Sequence, residues 1–391
     1  MKILYVACGI PVPGTLGGST HTLEVARGLA SRGHILHVVA ASGSGRGGIS
    51  ALFRPETVPF EQFTLHWIDL PKALSFAADR VIARLAAAIR PDLIMERYYN
   101  FAGGGLRAAR RLGVPTVLEV NALVIDPPTV PKRRIDDALG GPMRRLALAQ
   151  CQAADRIVTP LHTTIPAEID RARIIELPWG AAVERFSPRA DRPANLIPQL
   201  VFLGSFRAWH GVLDVVRACG ILLDAGRSLH CRLIGDGPER AAAEQLAARW
   251  PQHFTFTGAV AYEHVPALLA SADIGVAPFN TAPHPALRAA GFFWSPLKVY
   301  EYMAAGLPVV TADLAPLNRV IRDGHEGVLF REGDVASLAH AINRLLDDPT
   351  GAAAMGRNGR ARVAEHFSWA RHCEELERIM HGLCAAIPEA T

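Results

Sequence analysis

"FFWSPLKVYEYMAAGLPVV", residues 292–310, joins a capping signal, an amphipathic run and an apolar strand. Ser295 suits an N-cap, Pro296 suits the first helical position, and Gly306 ahead of Pro308 stops the run, so the spacing predicts a helix over 296–305. The apolar "LPVVTA" that follows reads as a buried strand, which makes the whole stretch one turn of an α/β fold. Free backbone N–H groups of Ser295, Leu297 and Lys298, beside Pro296, which has none, offer a place for an anionic phosphate. Lys298 and Glu301 stand three apart and share a helix face, an amine for a phosphate and a carboxylate for two vicinal hydroxyls. By spacing alone, the same residues equally describe a capped helix with an ion pair.

The rest of the chain repeats this alternation. Strand candidates "KILYVA", "ILHVVA", "DLIMERY", "PTVLEV", "DRIVTP" and "RIIELP" fill the first half, and "QLVFLGS", "HCRLIGDG", "FTFTGAV", "ADIGVAP" and "LPVVTA" the second, with helix-length stretches between them. Near-continuous apolar strands separated by crossover helices predict parallel sheets covered on both faces. With 391 residues, half of them hydrophobic, the chain is long enough for two cores. The Pro-rich "SPRADRPANLIP" at 187–198 reads as the linker. The expected organisation is two Rossmann-like domains facing across a cleft, 1–190 and 191–368, with a last helix at about 369–387 that packs back on the first. Six scattered cysteines have neither disulfide-framework nor zinc-ligand spacing, which suits free thiols in a reducing compartment. "MKILYVACGIPVPG" breaks at two prolines and reads as a first strand rather than a secretory signal. A formal charge of +4 without an aromatic-interleaved basic stripe argues against nucleic-acid binding.

Taken together, these stretches resemble the family 4 retaining glycosyltransferases of GT-B fold (glycosyl transferases group 1). The resemblance runs over "GIPVPGTLGGSTHTLEVARGLASRGH", "FLGSFRAWHGVLDVVRA", "IGDGPE", "FTGAV", "ADIGVAPF", the opening stretch and "DGHEGVLF". It implies transfer of a sugar from a nucleoside diphosphate sugar, bound mostly by the second domain, to an acceptor bound mostly by the first. Glu301 corresponds to the second glutamate of the family's E-x7-E pair. Gly17 and Gly18 let backbone approach the diphosphate or the transferred sugar, and "TGAV", with Gly258 and Val260, falls beside the nucleobase.

Departures from the family pattern are as informative. Ser205 and His210 stand where a Gly-Arg and a Lys-Gly pair usually place two cations; Arg207 lies between them. His210, Arg207 and Lys298 are therefore expected to stabilise the departing phosphate. Phe293 replaces the first glutamate of the pair, Asn121 replaces a histidine near the reacting sugar, and Trp179 replaces an asparagine. Asn121 is counted with the catalytic residues, and His21, Arg97, Glu119 and Asn121 with the acceptor side. His21 also reads as a surface histidine, and Glu96 as a member of an ordinary ion pair.

No Asp-x-Asp pattern is present, so neither a metal nor a cofactor is expected, and front-face displacement is favoured over a two-carboxylate mechanism. A nicotinamide dehydrogenase is excluded by the missing G-x-G-x-x-G after the first strand. The same two-domain pattern would also suit a catalytically inactive GT-B-shaped scaffold, an epimerase or a phosphorylase. The segment "PKRRIDDALGGPMRRLALAQ" at 131–150, with five basic and two acidic residues, could rest on an anionic membrane surface or be a solvated helix face. The expected location is the cytoplasm, with peripheral contact at the inner face of the membrane. Sugar, base, acceptor and oligomeric state carry no sequence signal.

Overall fold

The computed structural model describes residues 1–43, 55–70, 72–188 and 195–386. They divide into two compact units. The first comprises Met1–Trp179, Phe293–Ser295 and the C-terminal segment from Trp369; the second comprises Gly180–Phe292 and Pro296–Ser368. The chain passes from one to the other at Trp179, ahead of the Pro-rich stretch, of which residues 189–194 lie outside the described set.

In the first unit, strands β1 (Lys2–Pro11), β2 (Ile35–Ala41), β3 (Glu56–Phe60), β4 (Phe63–Trp67), β5 (Leu93–Arg97), β6 (Thr116–Glu119), β7 (Arg156–Thr159) and β8 (Ile174–Glu176) form one sheet in the order β3-β4-β2-β1-β5-β6-β7-β8. Ile3 to Ala7 of β1 are at most 1% exposed, as expected of a central parallel strand buried on both faces. The sheet is parallel apart from β3, which pairs antiparallel with β4. This hairpin was absent from the predicted strands, because its two-residue turn is Glu61-Gln62, with Glu61 at φ 51°, rather than the Asn-Gly or Asp-Gly that announces such turns. Pro59 on β3 fits its edge position. Register sets Arg97 at the end of β5 opposite Glu119 at the end of β6, and that pairing builds one half of the candidate site.

The C-terminal helix Trp369–Ala385 belongs to the first unit and packs on the helix Gly17–Ser31. The helices touch at Gly28, where a Cβ would land on Sγ of Cys373 and 3.1 Å from its Cβ. Gly28→Ala is therefore expected to destabilise by about 1–3 kcal/mol despite better helix propensity. Chemical denaturation of Gly28→Ala, alone and with Cys373→Ala, checks this, since the second change should restore part of the loss.

The second unit carries β9 (Gln199–Leu203), β10 (His230–Ile234), β11 (Phe254–Gly258), β12 (Ile274–Ala277), β13 (Val309–Ala312) and β14 (Gly327–Phe330) in the order β11-β10-β9-β12-β13-β14, all parallel. Phe202, Phe206, Val216, Leu233, Val276 and Ile342 are among its core residues. The opening stretch forms the helix Leu297–Ala304, one residue shorter at each end than expected. Ser295 does not cap it: the N-cap is Pro296, without a side-chain bond, and Ser295 Oγ accepts from the Trp179 backbone N–H at 3.3 Å. The helix is buried from Lys298 to Ala304. Its Tyr302 hydroxyl accepts from the Leu203 N–H at 2.7 Å, which pins the helix to the end of β9 and brings Lys298, one turn earlier, to Gly204.

Candidate active site

Within the second unit, β9 ends at Leu203 and the chain turns through Gly204 and Ser205 into a short 3-10 segment, Ala208–His210. Gly204 sits at φ 141°, where a side chain would be strained, and a Cβ there would lie 2.7 Å from Lys298 Nζ and displace the amine. The Lys298 amine is 8% exposed, 4.4 Å from the Phe202 ring centroid and 4.9 Å from that of Phe279, and Nζ has no hydrogen-bond partner among the described residues. Burial pulls its pKa down to about 7, with Glu301 acting in the opposite sense. Glu301, 3% exposed, lies on the same helix.

His210 Nδ1 lies 2.7 Å from the Ser205 carbonyl and 3.0 Å from Ser205 Oγ. Because a carbonyl only accepts, Nδ1 carries the proton and Nε2 is the unprotonated nitrogen of the neutral ring. Burial, then the Lys298 charge, depresses His210 to about 3, with Arg207 adding to the effect. Arg207 is exposed and holds its guanidinium 5.3 Å from the Trp209 ring centroid. Gly258 closes β11 at φ 74°, with its carbonyl accepting from the Gly235 N–H at 2.9 Å; Val260 lies in the turn beyond.

Within the first unit, Gly17 and Gly18 begin a helix, and a Cβ on Gly18 would meet only Arg97 Nη2, at 3.9 Å. The backbone here is thus open to close approach. Arg97, 4% exposed, donates from Nη1 to the Gly18 carbonyl at 3.0 Å and to Thr22 Oγ1 at 2.8 Å, and lies 3.0 Å from His21 Nδ1. Glu119 accepts from the Tyr5 hydroxyl at 2.6 Å on one oxygen and from Asn121 Nδ2 on the other, and His21 Nδ1 is 3.1 Å from that second oxygen. The Trp179 indole N–H donates to Asn121 Oδ1 at 2.8 Å, and its ring packs tilted against His21 with centroids 4.4 Å apart. Asn121 and Trp179 are therefore one hydrogen-bonded pair rather than two independent departures.

The surface reading of His21 is corrected by this packing. The imidazole is 0% exposed, enclosed by Trp179, Trp369 and His372, and burial together with the Arg97 charge holds it far below the usual histidine range. Nor is Glu96 in an ion pair on the surface: it is 1% exposed and accepts from the Gly103 and Leu106 N–H groups at 2.8 and 2.9 Å, capping the helix Gly104–Leu112. Phe293, in the position of the family's first glutamate, is 3% exposed beside Trp294. Sequence reasoning missed Tyr5, Trp369 and His372. Tyr5 hides in an apolar strand, and the other two come from the last helix, about 350 residues from His21.

Comparison with known proteins agrees with this division. The family described as Glycosyltransferase Family 4 matches residues 16–165, and that described as Glycosyl transferases group 1 matches residues 197–348. A 2-deoxystreptamine glucosyltransferase of Streptomyces kanamyceticus is 29% identical over 276 residues, 66% of this chain and 68% of that protein. Among solved structures, sucrose-phosphate synthase of Thermosynechococcus elongatus superposes with a TM-score of 0.76 at 18% identity over 99% of this chain and 100% of that one. An Anabaena protein solved in complexes with UDP and with UDP-glucose reaches a TM-score of 0.72 in the former, at 18% identity over 98% of this chain and 100% of its own. With one family match in each half and these structural neighbours, the chain belongs to the glycosyl transferases of group 1, family 4, and has the GT-B fold.

Proposed function

We propose that this glycosyltransferase is retaining and metal-independent and moves a sugar from a nucleoside diphosphate sugar to a glycan, glycolipid or small-molecule acceptor. The observation that carries the reading is the Lys298 amine, buried beside Gly204 with no hydrogen-bond partner among the described residues. A buried cation without a hydrogen-bond partner is costly, and a diphosphate supplies acceptors and negative charge. The N–H groups of Leu297 and Lys298 at the helix start add to the anion's environment, Glu301 has the chemistry to accept ribose hydroxyls, and Gly258 and Val260 offer backbone to a base. His210 is neutral before the donor arrives; a phosphate dianion favours its protonated form, and it then joins Arg207 and Lys298 in stabilising the leaving group.

The acceptor hydroxyl oxygen forms a bond to the anomeric carbon as the bond from that carbon to the phosphate oxygen breaks, and the phosphate takes the hydroxyl proton. The products are the glycoside and the nucleoside diphosphate. Glu119 already accepts hydrogen bonds from Tyr5 and Asn121, which supports this route over one that uses it as a free nucleophile. Asn121, His21 and Arg97 shape the acceptor side, and Gly17 and Gly18 let the backbone approach the reacting groups.

A thermal-shift series with UDP, GDP, ADP and dTDP, each with EDTA, tests the reading. One nucleotide is expected to raise the melting temperature without metal, because a ligand specific to the folded state stabilises it by mass action. No shift with any of the four, or a shift abolished by EDTA, counts against it.

Peripheral membrane contact through 131–150 is part of the same proposal. Asp136 is buried and caps the helix Pro142–Ala153 through the Met143 and Arg144 N–H groups, so it is withdrawn from the surface, whereas Ile135 and Leu139 are 60% and 68% exposed. Among the described residues, no helix is long and apolar enough to cross a membrane. Vesicles containing phosphatidylglycerol should sediment the protein and neutral vesicles should not; equal behaviour removes the idea.

A further inference from the structure

We propose that His34, Glu377 and His381 form a binding site for a divalent transition-metal ion of the zinc type, which fastens the C-terminal helix to the first unit. The site is independent of the donor chemistry above. Glu377 and His381 stand four residues apart on the helix Trp369–Ala385 and therefore share a face. His34 meets them from the turn between the helix Gly17–Ser31 and β2. One donor atom from each residue lies within 4.8 Å of the other two. His34 Nε2 is 2.9 Å from Glu377 Oε1, and the two imidazole centroids are 6.1 Å apart. Nitrogen and oxygen ligands at about 2.0–2.2 Å from a tetrahedral zinc are about 3.3–3.6 Å from one another, so small side-chain adjustments, chiefly of exposed His381, close the set on an ion.

The surroundings orient Glu377 and His34. Arg32 binds Glu377 through Oε2, with its Nε at 2.7 Å, and so leaves Oε1 turned to His34. An outer partner of this kind orients a ligating carboxylate, and the Arg32 hydrogen bond also holds Glu377 below the usual carboxylate range. Burial favours the neutral form of His34, the form that ligates. Two imidazoles with one carboxylate select zinc and its neighbours over magnesium or calcium, which prefer all-oxygen sets. Three protein ligands leave one position for water. Without an ion, His34 Nε2 carries the ring proton towards Glu377 Oε1 and Nδ1 faces the Met1 amine at 3.2 Å; with an ion on Nε2 the neutral ring carries its proton on Nδ1 instead, so the Met1 ammonium becomes the neutral amine and one proton in all leaves to solvent. The turn so joined to the C-terminal helix directly follows the helix whose Gly28 closes on Cys373.

The test uses the full chain without a histidine tag, stripped with EDTA and then titrated with zinc sulfate by calorimetry, with magnesium chloride as control and metal content read by atomic absorption. One zinc per chain, a zinc-dependent rise in melting temperature and no response to magnesium are expected. His381→Ala, at an exposed position that leaves packing intact, should weaken zinc binding by at least about tenfold and remove the thermal shift; Glu377→Gln should do likewise. Failure of the parent chain to take up one equivalent overturns the site, as does equally tight binding by both variants.

Discussion

Lys298→Met is expected to abolish the thermal shift produced by the responding nucleoside diphosphate while raising the melting temperature of the ligand-free protein. The amine is buried between Phe202 and Phe279 with no hydrogen-bond partner among the described residues, and burial takes it from an ordinary 10.5 to about 7. The depressed value means that folding disfavours the charged form. At pH below about 7 the folded protein must hold that charge, at a cost on the order of a few kcal/mol. The cost shrinks as pH rises from about 7 towards 10.5, where the unfolded chain loses the proton as well. Methionine fills similar volume without the charge, so its stability advantage should be largest in acid and fade with rising pH. Donor binding runs the other way. The diphosphate favours the protonated amine, so affinity for the nucleotide should fall as pH rises above about 7. Calorimetric titration across roughly pH 6 to 9 measures this, and a Lys298→Met protein that binds nucleotide as tightly as the parent would sink both the assignment and the proposed donor site.

Glu119→Ala should carry the largest stability loss in the first unit. The carboxylate is 4% exposed and accepts from Tyr5 and Asn121, with His21 Nδ1 at 3.1 Å and the Arg97 guanidinium 3.9 Å away and equally buried. Removing it leaves Arg97 charged in a dry site, which costs about 3–5 kcal/mol. For a unit of this size that is on the order of 10 °C in melting temperature. Arg97→Met together with Glu119→Ala should lose less than the sum of the two single variants, because the pair then disappears together. Strict additivity in urea denaturation would show that the two charges do not depend on each other.

Much of the fold was legible because its signals are local. The apolar runs of β1, β5 and β9 to β13, and the Pro and Gly limits of the helix Leu297–Ala304, depend on neighbours in sequence. The β3–β4 hairpin escaped because its turn lacks the usual residues, and Pro59 weakens the strand signal. Glu96 illustrates a different failure. A carboxylate at the end of a strand reads as a site residue or an ion-pair member until the following helix is seen to direct its first N–H groups at it.

By itself the sequence determined the two α/β halves, the family resemblance and the residue types, Lys298 and Glu301 on one short helix among them. These follow from periodicity and spacing, which a single chain displays directly. Only the tertiary structure decided that Lys298 Nζ lacks a hydrogen-bond partner among the described residues, that Trp179 and Asn121 act as a pair, and that Trp369 and His372 enclose His21. Burial and partnership are properties of contacts between distant segments, closed when helices and strands pack, and no local pattern encodes which polar atom is left over.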